Sequence, residues 1–544
     1  MTKERSRWIA LVFISAAISL VIIDGTIVNT IFPSIINALG LDSTEVQWVQ
    51  ESYVLVFAAL LLVWGSIADR YGRKRLLLIG IAIFVAASVW AGLSEDASSM
   101  ILARVLQGFG GSMVLPTTLS LVNATFQGKE RGIAFAVWGA TIGGMVAVGP
   151  VLGGWLATDF GDDGWRLAFN INLPLGLIVM AGLWWWAKES KQEQRVPGVD
   201  VVGALLSVVM FATLVFGLIE GRVYGWWEAS KNQFELGGFA WPTEGISIIP
   251  VSLAISAVGF TLFVLWERAR AKAQKAVLLD LDLFKVGSFR NGSIAALIIS
   301  MGEFGILFAI PLWLQNVLLL SPIESGMVLL WLAGGAFLAS GVTGGLSGKV
   351  SPKILVQGGV ALELVGAIGI ALFANTEAGM WSIAPFLFVY GIGVGMATAQ
   401  LTGVIMVDVP MDKIGQASGS QSTVRQVGSA LGIAVLGTML FTGVQSSLET
   451  RIADQATDEV QSAKIVELVV DTAGGVIPGL TDLLQSPATG TPLSPEVAKQ
   501  ITEDAGQAFT DGAKASAWAA AAFLLLGLFS TFNIGSRKED QTAK

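Results

Sequence analysis

The chain has no cysteine and no histidine, only 4 tyrosines, and just 14% charged residues over a length of 544. The missing cysteine excludes disulfides, thiolate zinc sites and thiol nucleophiles. The missing histidine removes the one side chain that ordinarily titrates near neutral pH. Any proton carried here must therefore ride on a carboxylate that burial has made more basic. The commonest catalytic bases and nucleophiles are absent too, which argues against an enzyme. No GxxxxGK[ST] loop occurs, which argues against ATP as a driver. With a net charge of -8 and a pI near 4.9 the chain offers no basic face to nucleic acid. Nothing points to a metal or a cofactor.

What is present is apolar. Hydrophobic residues make up 53% of the chain and the mean hydropathy is +0.68. Charge is clustered, leaving stretches long enough to cross ~30 Å of hydrocarbon. The punctuation between them predicts spans over 8–37, 47–68, 76–93, 99–123, 133–157 and 168–187, then 200–219 and 247–266. Six more follow over 291–314, 323–346, 354–374, 382–407, 416–441 and 514–534. The expected fold class is an all-α polytopic membrane protein of fourteen helices in a six, two, six pattern. Its expected domains are 1–187, a linker with two extra spans over 188–290, and 291–544. The first segment follows Lys3, Arg5 and Arg7 like a signal peptide, but it runs past Ile31 without a convincing cleavage site and reads as a retained helix. With both termini inside, 24 of the 33 basic residues fall on cytoplasmic segments and 7 outside, while Arg104 and Arg425 lie within spans. The expected location is a cell membrane, inner or plasma, with cytoplasmic termini. Many of the 18 Trp sit at span ends, where interfacial anchoring is the default.

The loop after the second segment contains Gly65, Asp69, Arg70, Gly72, Arg73, Lys74 and Arg75 in order. Gly65 permits close helix approach, Asp69 sits where it can cap a neighbouring helix N-terminus, and the basic cluster suits an anionic leaflet. This loop resembles the signature of the major facilitator superfamily. Gly345 to Lys353 is a degenerate copy in the second half, with Gly348 in place of the Asp. Further segments resemble the drug:proton antiporter branch with fourteen helices. They are Asp24 with Thr26, Asn29 and Pro33; Arg104 with Gln107 and Gly108; Gly149-Pro150 with Gly153-Gly154; Trp165-Arg166 through Asn172 and Pro174; and Gly415, Gly419, Arg425 and Gly428. The resemblance covers nearly the whole chain outside 444–512. It implies two six-helix bundles plus two central helices, and an antiporter gate at Gly149, Pro150, Gly153 and Gly154. A run of Gly-Pro then Gly-Gly kinks a helix and thins its face, although small residues also serve ordinary helix packing.

Charges inside the bilayer are few. Asp24 lies roughly 16 residues into its segment, ~24 Å along the axis, where a charge must be paired, protonated or facing water. The resemblance implies Arg104 as its partner and a role in proton coupling; a static bridge that orients helices is the competing reading. Glu303 sits mid-segment in the helix that corresponds to the first in the other half, and burial alone makes it the second proton-coupling candidate. Glu363 and Arg425 are internal as well, and an Asp24 to Arg425 contact is an alternative lock.

Residues 444–512 carry 11 acids against 3 bases. They are too polar to span and read as an acidic external loop with amphipathic stretches, interrupted by Pro478, Pro487, Pro492 and Pro495. The loop is an accessory element, or else a docking site for an envelope partner. The resemblance implies a proton-coupled exporter of lipophilic, often cationic drugs, with protons and the membrane as its partners and no nucleic acid. The alternative is export of a cell-envelope lipid or native metabolite by the same machinery. A passive channel is separated from both by uphill transport.

Overall fold

The computed structural model describes all residues except 1–2, 42, 192–197, 222, 231–232, 237–238, 347–348, 378–379, 454–458, 487–491 and 535–544. Gly348 and Pro487 lie outside the described residues.

The first half comprises α1 (Lys3–Leu39), α2 (Ser43–Tyr71), α3 (Arg73–Gly92), α4 (Ala97–Thr125), α5 (Gly128–Asp159), the short α6 (Gly164–Asn170) and α7 (Asn172–Trp186). The sixth expected segment thus divides at Ile171. Pro174 has no N–H to return to the Asn170 carbonyl, so the helical ladder is interrupted one turn before it. Two helices follow, α8 (Val201–Ile219) and α9 (Ile248–Lys272), joined by a loop with a two-stranded antiparallel hairpin, β1 (Glu235–Leu236) and β2 (Phe239–Ala240). The second half contains α10 (Gly287–Asn316), α11 (Pro322–Leu346), α12 (Pro352–Phe373), α13 (Ala384–Ile405), α14 (Ile414–Ile452), α15 (Glu459–Asp471), α16 (Leu480–Leu484) and α17 (Pro495–Thr531). Side chains set several starts: Asp96, Ser247, Ser351 and Ser494 each accept a backbone N–H of the first turn of α4, α9, α12 and α17.

Among the described residues 13 stretches are long and apolar enough to cross a membrane, with α6 and α7 acting as one. α5, 32 residues long, occupies the fifth of the fourteen expected places. The chain is an all-α multi-pass membrane protein. Burial sorts its helices: 78% of the apolar window of α4 is buried, against 33% for α8 and 28% for α9. α4 is therefore central, and the α8–α9 pair is a flank whose Leu and Val side chains face outward. The pair holds together by membrane-type contacts: the Ser252 and Ser256 hydroxyls donate to the Thr213 and Met210 carbonyls at 2.7 and 2.8 Å. It leans on α2 and α14, one helix from each half.

Two ends of the bundle can be distinguished. One, the basic face, carries the connections rich in Arg and Lys at 70–75 and 268–290, together with Lys413. The other, the cap face, carries the acidic segment. That segment is not a loose loop. α14 continues to Ile452 and α17 begins at Pro495, both well beyond the spans expected to end at 441 and start at 514. Apolar residues recur at helical spacing across the polar stretch, as in Val444, Leu448 and Ile452, so nothing stops the helix at the membrane boundary. With α15 and α16 these extensions enclose a core that includes Ile465, Val469, Leu480, Ile501 and Phe509, all essentially inaccessible. Trp313 Nε1 of α10 donates to Thr510 Oγ1 at 2.9 Å, Asn316 Nδ2 donates to the Ala473 carbonyl at 3.0 Å, and Arg451 pairs with Asp511 at 2.9 Å. Most of the described acids stay on the outside of a packed helical cap.

Truncating Phe509 to Ala should cost the cap about 3–5 kcal/mol. Limited proteolysis of the purified protein should then cut within 453–495 far faster than in wild type, while the membrane-embedded fragments stay intact; unchanged digestion would show that the cap has no cooperative core.

Candidate functional site: two buried ion pairs between closed faces

In the first half Asp24 of α1 is buried to 1% exposure beside Arg104 of α4 at 2%. Arg104 Nη1 lies 2.8 Å from Asp24 Oδ2. Gln107 Nε2 and Asn172 Nδ2 both donate to Asp24 Oδ1, at 2.7 and 3.1 Å, and both also reach Ser88 Oγ. The guanidinium bonds the Val49 carbonyl and Gln107 Oε1 as well, and stacks 4.3 Å from the centre of the Tyr53 ring. Charge, donors and acceptors from α1, α2, α3, α4 and α7 are thus mutually satisfied in a dry site, the condition under which a buried pair is tolerated. Gln107 and Asn172 were visible as motif residues. Ser88 and Tyr53 were not, since a lone Ser or Tyr in an apolar span carries no pattern.

The second pair joins Glu303 of α10 to Arg425 of α14 at 3.3 Å, and Thr398 Oγ1 of α13 donates to Glu303 Oε1 at 3.3 Å. It differs from the first in having space beside it. A cavity of about 30 Å³ is lined by Ile142, Phe304, Leu307, Leu332, Val394 and these three polar residues. That is room for one or two waters, not for a substrate. Ile142 belongs to α5, so the cavity lies where the two halves meet. The alternative Asp24 to Arg425 lock is not formed: Asp24 points into the first half, where three donors saturate it, and Arg425 is taken by Glu303.

On the basic face α2 meets α14. Asp69 accepts the backbone N–H groups of Gly415 and Gln416, at 2.8 and 3.0 Å, capping the N-terminus of α14 across the two halves, and binds Arg73 Nη2 at 2.6 Å. The helices touch at backbone distance, since a Cβ on Gly65 would stand 2.5 Å from the Gly415 carbonyl oxygen. Gly72 turns the chain at φ +114, and Glu189 closes over it, accepting the Lys74 and Arg75 N–H groups at the start of α3, both at 3.0 Å. Arg70 donates to the Gly198 carbonyl, and Lys413 pairs with Asp280 at 2.5 Å, so both segments flanking α8 and α9 are tied to this junction. Glu189 and Asp280 carried no sequence signal because they lie in polar connectors among many like residues.

On the cap face α5 meets α11. Gly149 and Gly153 rest on Thr26, Ile27 and Thr30 of α1, within the first half, whereas Gly154 rests on the backbone of Ile323 in α11. Pro150 sits inside α5 between these contacts. The run thus serves two partners, and of its three glycines Gly154 faces the other half at contact distance. Both faces are closed among the described residues.

A family model described as Major Facilitator Superfamily matches residues 14–433. The chain is 29% identical over 482 residues to multidrug resistance protein Stp of Mycobacterium tuberculosis, covering 87% of this chain and 84% of that one. It is 32% identical over 464 residues to a probable actinorhodin transporter of Streptomyces coelicolor, covering 84% and 76%. In fold it resembles the crystal structure of the human organic anion transporter MFSD10, with a TM-score of 0.59 at 10% identity over 96% of this chain and 99% of that chain.

Removing one member of the dry pair leaves the other charge buried. Asp24→Asn should therefore lower stability by about 3–5 kcal/mol, with partial recovery in the Asp24→Asn, Arg104→Gln double variant. Glu303→Gln, beside a cavity that admits water, should cost clearly less. Thermal unfolding of the purified proteins checks the order, and equal losses for Asp24→Asn and Glu303→Gln would contradict the distinction between dry and hydrated pairs.

Proposed function

The chain belongs to the Major Facilitator Superfamily, and from that premise we propose that it is a proton-coupled exporter of lipophilic, often cationic compounds working by alternating access. It is a membrane transporter rather than an enzyme; the coupling ion, the substrate class and the orientation are our reading. The observation that carries the reading is the Glu303–Arg425 pair bordering a water-sized cavity at the junction of the halves. A carboxylate held by an arginine at such a place exchanges one neutralising partner for another: protonation releases Arg425, and loss of the proton restores the pair. A cationic substrate competes for the same carboxylate, so proton and cation take turns.

The two closures supply the alternating faces. Parting α2 from α14 opens the basic face, and parting α5 from α11 opens the cap face. Asp69 is the latch of the first, since it holds α14 by two backbone N–H groups that a small tilt would break. Gly154 is the contact of the second. Asp24 and Arg104 act upon the rigidity of the first half, so that it rocks as a unit, and protonation of Asp24 would loosen it. The distribution of basic residues supports a cell membrane with the basic face cytoplasmic.

Proteoliposomes holding the purified full chain, with an imposed pH gradient and ethidium as probe, test the proposal. Wild type should accumulate ethidium only while the gradient lasts. Glu303→Gln should lose accumulation but keep downhill exchange, and Gly154→Leu should retain ethidium binding while turnover falls. Accumulation that survives collapse of the gradient would overturn proton coupling. Transport of native lipids with none of ethidium would replace the substrate class.

A further inference from the structure

Several buried carboxyls take no part in the two pairs or the closures, and one of them stands apart from the rest. Glu363 stands near the middle of α12 with 0% exposure, and neither of its oxygens has a hydrogen-bond partner among the described residues. The Tyr390 hydroxyl of α13 is equally buried and equally without a partner. The two helices cross tightly here: a Cβ on Gly366 would stand 2.6 Å from Tyr390 Cβ, and one on Gly393 would stand 2.6 Å from Glu363 Cγ. Gly393 thus makes the niche into which the Glu363 side chain folds. As a carboxylate the group would carry a full charge with no donor to meet it, a state that low-dielectric surroundings strongly disfavour, whereas the neutral acid fits.

The surroundings place opposite charge within electrostatic reach of Glu363 and a water-sized cavity one residue along from the glycine it packs on. The titratable and charged groups within electrostatic reach of Glu363 are Tyr390 of α13, Glu303 of α10 and Arg425 of α14. α17, which flanks α12 on its other side, has no ionisable residue between Lys514 and Arg537. Along α13, Gly393 beside Glu363 and Thr398 beside Glu303 are five residues apart, ~7.5 Å of helix rise. Val394, next to Gly393, lines the water-sized cavity together with Glu303, Thr398 and Arg425. Those three polar side chains are enough to hold a bridging water.

We propose that Glu363 is a second proton-carrying carboxyl of the second half, exchanging its proton with Glu303 through water in the cavity. In the transfer the Glu363 O–H bond breaks as its proton passes to the water, and the water gives up one of its own to the Glu303 carboxylate. Glu303 becomes the neutral acid, Glu363 becomes the carboxylate, and Arg425 turns from the first to the second. The cluster holds one positive and one negative charge before and after. Two acids sharing one arginine therefore store one proton between them without leaving an unbalanced charge in the membrane, and a second proton enters only when Arg425 is drawn elsewhere. The role in transport rests on the exporter reading given above; the protonation itself does not.

The test uses the purified full chain in lipid nanodiscs, with infrared difference spectra recorded between acid and alkaline pH. Wild type should show a protonated-carboxyl C=O band that is lost in Glu363→Gln, moved in Glu363→Asp and moved in Glu303→Gln. The Asp variant keeps the test decisive should the Gln variant fail to fold. A band set identical in wild type and the Glu363 variants would overturn the proposal. The second arm measures protons exchanged per ethidium in proteoliposomes, where the ratio should fall in Glu363→Gln; an unchanged ratio would overturn the transport role. If wild type shows the Glu363 band but no gradient-driven ethidium transport, the exporter reading fails and the proton site stands.

Discussion

Taking an ion out of water costs several kcal/mol even after the protein relaxes around it, and in hydrocarbon no water returns to make up the loss. The arrangement of this protein follows from how that cost is met at each buried charge. Asp24 and Arg104 meet it completely, with donors and acceptors from five helices, and so weld α1, α2, α3, α4 and α7 into one body. Asp69 meets it with an arginine and with the N-terminus of a helix from the opposite half. Glu303 and Arg425 meet it less fully and lie beside space that water can enter. The sites differ in completeness, and completeness decides which of them can change.

The closures on the two faces obey a second rule, set by distance rather than charge. Without a hydrophobic drive between helices in lipid, close backbone approach must hold them. Gly65 against Gly415 and Gly419 does so on the basic face, and Gly154 and Gly326 do so on the cap face. Contacts of this kind are strong only at contact distance and vanish on slight separation, which suits surfaces that must part. Interdigitated large side chains would resist the same motion.

The helical architecture, the positions of the apolar segments and most of the polar actors were legible in the sequence, because span length and intramembrane charge are both severe constraints. Asp24, Arg104, Glu303 and Arg425 stood out because charges are rare there. What could not be read was the partner of Arg425: the sequence offered Asp24 as an alternative lock, and only the packing of α14 on α10 places Arg425 by Glu303. The four residues of the Gly149 to Gly154 run looked like one gate, yet Gly153 faces α1 and Gly154 faces α11, since neighbours on a helix point ~100° apart. The amphipathic stretches of the acidic segment were legible, but not their packing into a cap, because its acids dominate the composition while its core rests on widely spaced residues such as Leu448, Ile501 and Phe509.

That cap is continuous with the transport body. α14 and α17 pass without a break from the membrane-embedded bundle into it, and α17 alone is 37 residues, ~55 Å of rigid rod. A rod of that length behaves as a pointer: a slight tilt at the bilayer midplane becomes a much larger excursion at the far tip. The cap then displays, beyond one face of the bundle, the angle of the helix that carries Arg425. A ligand or antibody that grips the cap against the neighbouring helix ends would clamp that angle and arrest the proposed alternating-access cycle from a position remote from the Glu303–Arg425 pair.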